Sequence, residues 1–580
     1  MRKTKIVCTL GPACDDAGML RQMIQAGMDV ARFNFSHGTH EEQKARYDRF
    51  VAVREELGAP VAAMLDTKGP EIRLGKFKGG RVQLARGSRF VLRAESCEGD
   101  ETQASITYAG LYRDIAPGGT ILLDDGLIEL RVESIEGSDI VCRVVNGGAV
   151  SDRKGVNIPN ARFSMPYLSQ KDVEDIDFAV DNGFDFIAAS FVRSADDVLL
   201  IRRRLEKRGS DIEIISKIEN EEGVGNVDEI LAVSDGIMVA RGDMGVEIQF
   251  ERLPAIQKMM IKKALAQGKT VITATQMLES MIHNPRPTRA EASDVANAVY
   301  DGTGAVMLSG ETAAGQYPVE AVRTMASIAA AVEGDINYSG RLRARPGTSV
   351  PNVTNAISFA TCQAADELHA AAIVTVSKSG RTARMISKFR PGVPILCCTA
   401  SERVRRRLSL TWGVHPVVIP EVGSTDELFD LAVQAARAEK MASDGDMVVL
   451  TAGVPLGVSG TSNLLKVEVI GNLLLSGTGL TGRTVSGPVV VCRNESEVLG
   501  LCGEGDIVVA PYTTNGMIPA LKKAAGMIIE QGGLDSHAAT LAFALDIPTV
   551  VNATNAVQML KSGTPVTLDT ARGTVCAVKK

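Results

Sequence analysis

Over the first three hundred or so residues the chain repeats one pattern: a short apolar run, a polar cluster, then a helical stretch. The runs are KIVCTLG (5–11), VARFNFS (30–36), AAMLDTKG (62–69) and FDFIAASFV (184–192), followed by EIISKIE (213–219), DGIMVARGD (235–243), TVITATQM (270–277) and AVMLSGE (305–311). β-rich runs alternating with helical segments predict parallel strands joined by helices. Eight such units point to an α/β fold of the (β/α)8, or TIM, barrel type, whose reactive groups gather at the carboxyl ends of the strands. Most of the runs end in Asp, Glu, Lys, Arg, Ser or Thr, as that arrangement requires. The pattern by itself also allows an open doubly wound sheet.

One connection breaks the rhythm. Between LDTKG and FDFIAASF lie β-rich pieces such as RVQLARGSRFVLR and GTILLDDGLIELRVESIEG, punctuated by Gly pairs and Asp-Gly steps that suit hairpins. They predict a small β-barrel domain over 70–166, inserted in a barrel loop and placed to act as a lid, with an inert insertion as the alternative. The barrel itself is then 1–69 and 167–340. GRLRARPGTS reads as a linker into a second α/β region, 341–471, with strands near AAIVTVS, PILCCT, HPVVI and DMVVLTAG. A Gly/Ser/Thr stretch, LLLSGTGLTGRTVSG, introduces a third unit, 472–580.

Composition narrows the class. Of 580 residues, 45% are hydrophobic and 23% charged, which is ordinary for a globular protein and argues against extensive disorder. The net charge of −6 is small for this length and does not suggest a nucleic-acid partner. No apolar run approaches the roughly 20 residues that span a bilayer, so no membrane partner is expected. The ten cysteines lack a CxxC pair and read as reduced thiols, which fits a cytoplasmic location.

The strand ends carry the candidate chemistry. Lys217 and Glu219, two apart in ISKIEN, point the same way on a strand, and the next run ends at Asp243. Two carboxylates with open coordination positions suit Mg2+ or Mn2+. A lysine beside them can neutralise charge on a transferring phosphoryl group or a developing enolate. Taken alone, the pair reads equally well as a buried ion pair. Arg32, Asn34 and Ser36 share one face, and Arg73 follows LDTKGPE; two arginines near two carboxylates suggest an anionic substrate. Asn34, Ser36, Asp66 and Thr67 offer oxygen ligands of low net charge to a monovalent cation, although such residues are also ordinary in turns and caps. The RGD-MG turn opens a helix whose free N–H groups can hold a carboxylate. Thr275, Ser309 and Glu311 end strands seven and eight, where a hydroxyl can serve in a proton relay or be a satisfied buried group. There is no Walker A sequence, so a nucleotide must be held by another device.

At this point a resemblance is clear. RFNFSHG, LDTKGPEIR, IEIISKIENEEGV, ARGDMG, ATQMLESM and MLSGETA resemble, in order and spacing, the motif blocks of the pyruvate kinase family over about residues 1–470. The resemblance implies transfer of phosphate from phosphoenolpyruvate to ADP, giving pyruvate and ATP. It implies that Glu219 and Asp243 bind the divalent metal, that Lys217 stabilises the transition state and enolate, and that Arg32 and Arg73 contact phosphates. It assigns Asn34, Ser36, Asp66 and Thr67 to K+, and Gly242, Asp243 and Thr275 to the substrate carboxylate. Protonation of the enolate would run through Thr275, Ser309, Glu311 and water. Lys154 and the segment Asn34, Phe35, Ser36 and His37 would contact the nucleotide. Glu71 matches the K+-dependent members, in which no lysine replaces the cation. A homotetramer is implied as well.

VSKSGRTA follows a strand and makes a plausible phosphate cradle from Ser377, Lys378, Ser379, Gly380, Arg381 and Thr382, coinciding with the family's allosteric effector loop. TAGVPLGVSGTSN lacks the tryptophan and arginine with which some relatives hold a bisphosphate, so AMP or ribose 5-phosphate is the expected effector. EQGGLDSHAATLAFALDIPTVV resembles the phosphohistidine, or mobile, domain of phosphoenolpyruvate-utilising enzymes. His537 occupies the phosphorylated position, but Asp535 stands where threonine is usual and would repel a phosphoryl group. A vestigial or structural role is expected. Two rival functions remain: a lyase that makes pyruvate enolate on the same barrel, and a catalytically impaired phosphometabolite sensor.

Overall fold

A computed structural model describes residues 1–159, 164–344, 352–453, 462–471 and 473–578. The chain forms two compact units. The first comprises Met1–Pro351, Ser377–Gly392 and Thr399–Pro420; the second comprises Asn352–Val376, Val393–Cys398 and Glu421–Lys580.

In the first unit, strands β1 (Lys5–Thr9), β2 (Val30–Asn34), β3 (Ala62–Asp66), β4 (Phe186–Ala189), β5 (Glu213–Ile218), β6 (Gly236–Ala240), β7 (Thr270–Ala274) and β8 (Ala305–Leu308) close into a barrel. All neighbours are parallel and follow chain order, with β8 pairing β1. The closed ring rules out the open doubly wound sheet.

Alternation along each strand sorts the side chains. Val7, Val30, Ala62, Met64, Phe186, Ala188, Ile215, Met238, Ile272 and Met307 fill the interior. Their neighbours Ile6, Ala31, Phe33, Ala63, Leu65, Ile187, Ile214 and Ile218 face outward and pack against the helices. The intervening helices carry local start and stop signals. Thr39 with Glu42, Ser169 with Asp172, and Thr288 with Glu291 form reciprocal capping boxes. The helix Arg289–Asp301 ends on Gly302 in the left-handed region (φ 94°), which returns the chain directly to β8.

The insertion after β3 builds a β domain with its own core, including Leu84, Phe90, Leu92, Leu123, Leu130, Ile140 and Val150. Its six-stranded sheet runs in the order Val156–Asn157, Thr120–Leu123, Ile128–Glu136, Asp139–Val144, Arg89–Arg93, Gln103–Ser105, beside a two-stranded sheet of Arg81–Leu84 and Gly148–Ser151. Residues 160–163, in the predicted return from this domain, lie outside the described residues, as do 345–351 of the predicted linker.

In the second unit, strands Ala372–Val376, Ile395–Thr399 and Met447–Ala452 are parallel, and Leu464–Val469 adds antiparallel to the last. Most of the loop read for effector size, 454–461, lies outside the described residues. The tail forms an eight-stranded sheet of its own. Its parallel centre is Thr484–Val491, Ile507–Ala510, Gly526–Ile529 and Thr549–Val551. Among the described residues no helix is long and apolar enough to cross a membrane, and all ten cysteines are free.

Candidate active site

The same alternation that fills the barrel interior brings polar groups together one step above it. Arg32 continues the inward face of β2, Asp66 that of β3, Ser190 that of β4, and Lys217 and Glu219 that of β5. All five are buried, with Asp66 and Glu219 each 1% exposed. Lys217 Nζ donates to Ser190 Oγ at 2.7 Å and to Asp66 Oδ1 at 3.1 Å. Arg32 Nε donates to Asp66 Oδ2 at 2.6 Å and its NH1 to Thr9 Oγ1 at 2.9 Å. Burial alone would lower the Lys217 ammonium, but Asp66 and Glu219 outweigh it and hold the group above its ordinary value. Burial likewise would raise Asp66, yet Arg32 and Lys217 keep its carboxyl below the usual range.

Glu219 is less well compensated. Its Oε2 accepts the main-chain N–H of Phe191 at 2.5 Å. Its Oε1 lies 3.1 Å from Lys217 Nζ but accepts no hydrogen bond, although it is buried. Burial, followed by the charge of Asp243 and opposed by Lys217, raises its carboxyl. A buried oxygen with open lone pairs beside a second carboxylate is the environment a hard divalent cation completes. Among the described residues no group of three or more His, Cys, Asp or Glu is placed to hold a metal ion. The Lys217–Glu219 pair is therefore no isolated ion pair, since three other polar side chains share its pocket.

Asp243 lies in the first turn of the rim helix Arg241–Glu247, after β6. Gly242 N–H donates to Thr275 Oγ1 at 2.7 Å, so the two groups expected at a substrate carboxylate are neighbours. Thr275 and Gln276 both take positive φ (67° and 54°), as does Phe191 (54°), a local strain that the surrounding rim holds in place. Arg241 fixes this turn by donating to Thr275 O at 2.7 Å and pairing with Asp294 at 2.7 Å.

Other expected residues fall elsewhere. Arg73 forks onto Glu71 (2.7 Å) and donates to Arg153 O, so it sits at the root of the inserted β domain. Lys154 pairs within the inserted β domain with Asp124 at 2.8 Å. Asn34 Oδ1 accepts Ser36 N–H in a tight turn, and His37 is exposed. The buried Phe35 ring packs among His40, Phe178 and Phe184, which leaves only its main chain for a ligand. Thr67 Oγ1 accepts Ser190 N–H at 3.2 Å. Both Glu311 oxygens accept main-chain N–H groups, of Leu278 and Ser309, so this carboxylate staples the loops after β7 and β8. In the effector segment, Gly380 (φ 76°) turns the chain into the helix Arg381–Lys388, where Thr382 is buried. Sequence reasoning missed Ser190 and Thr9; their only signal was a small hydroxyl at the end of an apolar run.

Comparison with known proteins decides the family. The model of the pyruvate kinase barrel domain matches residues 1–322 and that of the pyruvate kinase alpha/beta domain matches 355–468. A pyruvate kinase of Geobacillus stearothermophilus is 49% identical over 577 residues, 99% of this chain and 98% of that protein. The chain belongs to the pyruvate kinase family. The family also accounts for the rest of the molecule. A pyruvate kinase of Sporosarcina psychrophila is 48% identical over 578 residues, 99% of each chain, so the tail is shared by full-length relatives. The tail itself matches the mobile domain of PEP-utilising enzymes over 502–573. A solved pyruvate kinase from Cryptosporidium parvum superposes with a TM-score of 0.77 at 40% identity, covering 81% of this chain and 96% of its own.

Proposed function

We propose that this enzyme transfers the phosphoryl group of phosphoenolpyruvate to ADP, yielding pyruvate and ATP, at the rim cluster of Arg32, Asp66, Lys217, Glu219 and Asp243. The observation that carries this reading is the Lys217 ammonium, buried and held cationic by Asp66 and Glu219 beneath an open acceptor on Glu219. Glu219 and Asp243 would hold Mg2+ or Mn2+, which when bound neutralises phosphoryl and enolate oxygens. The donor set fits, because the buried Oε1 of Glu219 accepts no hydrogen bond and has only ion-pair contact with Lys217 at 3.1 Å. Lys217 and Arg32 face the transferring phosphoryl group and balance charge on the leaving enolate. The substrate carboxylate is received by the main chain of Gly242 and Asp243; it displaces the Thr275 hydroxyl from Gly242 N–H. Thr275 then stands beside the enolate carbon, with Ser309 and Glu311 shaping the loop and water supplying the proton.

Asn34, Ser36, Asp66 and Thr67 are assigned to K+, whose charge compensates for the absence of a lysine at Glu71. The nucleotide is assigned to the 34–37 turn, Arg73 and Lys154. AMP or ribose 5-phosphate is assigned to Ser377–Thr382. The proposed domains are 1–69 with 167–340 (barrel), 70–166 (lid), 341–471 (effector) and 472–580 (mobile-like), in a cytoplasmic homotetramer. A coupled assay with phosphoenolpyruvate and ADP, with and without Mg2+ and K+, tests the reaction. ATP formation that needs both ions is expected, and no ATP under any condition overturns it in favour of the sensor. Pyruvate made from a longer acid without ADP would favour the lyase.

A further inference from the structure

Strands β2 and β3 end at Asn34 and Asp66, and the turns that follow carry Ser36 and Thr67. The first turn of the helix Gln170–Asn182 reaches both of them. Lys171 Nζ donates to Phe35 O at 2.9 Å, in the turn after β2. Asp172 Oδ1 accepts the Gly69 N–H at 2.9 Å, in the loop after β3. These contacts span 136 and 103 residues of chain. Neither the phosphoryl transfer nor the divalent metal pair uses the two side chains.

Each of them is itself held in place. Lys171 Nζ also donates to Asp175 Oδ1 at 3.1 Å and to Oδ2 at 2.9 Å. Asp175 is wholly buried, and its Oδ1 lies 2.6 Å from Nε2 of His40, the first residue of the helix that the β2 turn leads into. Gln43 Nε2 closes the same turn by donating to Asn34 O at 3.0 Å and to His37 O at 2.9 Å. Asp172, also wholly buried, divides its oxygens. Oδ2 accepts Ser169 N–H at 3.0 Å and Ser169 Oγ–H at 2.6 Å in the capping box, which leaves Oδ1 for Gly69. The helix is therefore capped without the Gly69 contact, and Lys171 pairs with Asp175 without the Phe35 contact. The two long-range bonds serve the loops and not the helix.

We propose that Lys171 and Asp172 are positioning residues that, from adjacent places on one helix, set the spacing of the turns after β2 and β3. The inference rests on the assignment of Asn34, Ser36, Asp66 and Thr67 to K+. An amide, two hydroxyls and a carboxylate already shared by Arg32 and Lys217 make a donor set of low net charge, which suits a monovalent ion. Half of the set lies on each turn. An ion so weakly held cannot also supply the free energy of ordering two loops, about 1–2 kcal/mol for each residue fixed. Its apparent affinity falls in proportion to the fraction of molecules in which both turns are in place.

The test uses the full-length enzyme and two readouts. The first is hydrogen exchange without K+ or substrates. Lys171→Met should speed exchange about tenfold over 35–38, and Asp172→Ala should do so over 67–71, the effect of losing one charge-assisted hydrogen bond at each loop. The second is a K+ titration of turnover. Both variants should raise the half-saturating K+ concentration about tenfold, while kcat at saturating K+ stays within about twofold of wild type. Lys171→Arg, which keeps a cationic donor, should recover most of both losses. Ser169→Ala removes the capping hydroxyl but keeps the bond from Asp172 to Gly69, so it should lower Tm and leave the K+ response unchanged. Unchanged loop exchange, a loss confined to kcat, or a Ser169→Ala effect on K+ equal to that of Asp172→Ala would each overturn the positioning role. Wild-type turnover independent of K+ would refute the K+ assignment instead, and loop exchange would still decide whether Lys171 and Asp172 hold the two turns.

Discussion

Lys217 is subject to two opposing pulls, burial against two neighbouring carboxylates, and the carboxylates prevail. Its replacement has two separable consequences. Lys217→Met should lower kcat by roughly 10^2–10^3, the usual loss for one preorganised charge-stabilising group. The same change leaves Asp66 and Glu219 buried without their shared cation, so the melting temperature should fall as well. Steady-state kinetics and thermal unfolding read the two effects independently. Ser190→Ala is the finer probe, since it removes only the hydroxyl that joins Lys217 to Asp66. It should cost about 1 kcal/mol of stability, and activity should fall about tenfold. An unchanged rate would remove Ser190 from the site. Lys217 and Glu219 were legible because a period of two is a local rule that needs no partner strand. Ser190 was not, because a lone serine after an apolar run reads as an ordinary turn until β4 is seen to lie between β3 and β5.

At the scale of elements, the strand ends supply the reactive groups and the loops decide their reach. The Glu71–Arg73 fork at 2.7 Å lies where the inserted β domain leaves the barrel, and under the proposed K+ assignment Glu71 stands where a lysine would substitute for the cation. K+ should therefore activate the enzyme strongly, and Glu71→Lys should reduce that activation at least tenfold. Equal turnover of the wild-type enzyme in buffer free of K+ and Na+ would sink this expectation. The strained turn at Thr275–Gln276 was beyond sequence reasoning, since neither residue type favours positive φ. Arg241 holds the turn in place from the neighbouring strand end.

At the scale of the whole molecule, the tail folds as a sheet of eight strands with its own core, including Val508, Met527, Ile529 and Val551. His537 opens the helix His537–Leu545 with both ring nitrogens engaged, Nδ1 by Thr513 at 2.8 Å and Nε2 by Asn515 at 3.0 Å. With Asp535 close by in the sequence, this ring should not carry phosphate. Mass spectrometry after incubation with phosphoenolpyruvate should find no phosphohistidine at 537, and a stable adduct there would reverse the vestigial reading.

What the sequence determined by itself was local: which runs form strands, which positions face inward, where helices begin and end, and which ordered blocks mark the family. Which of those inward positions meet depends on the closed fold. Lys217 reaches Asp66 across 151 residues of chain, and Arg32 meets the same carboxylate from β2. Alternation and capping are written into neighbouring residues, whereas such contacts exist only once eight strands close on one another. The closed barrel also turned Lys217 and Glu219 from a pair into a shared network, because closure is what buries Arg32, Asp66 and Ser190 beside them.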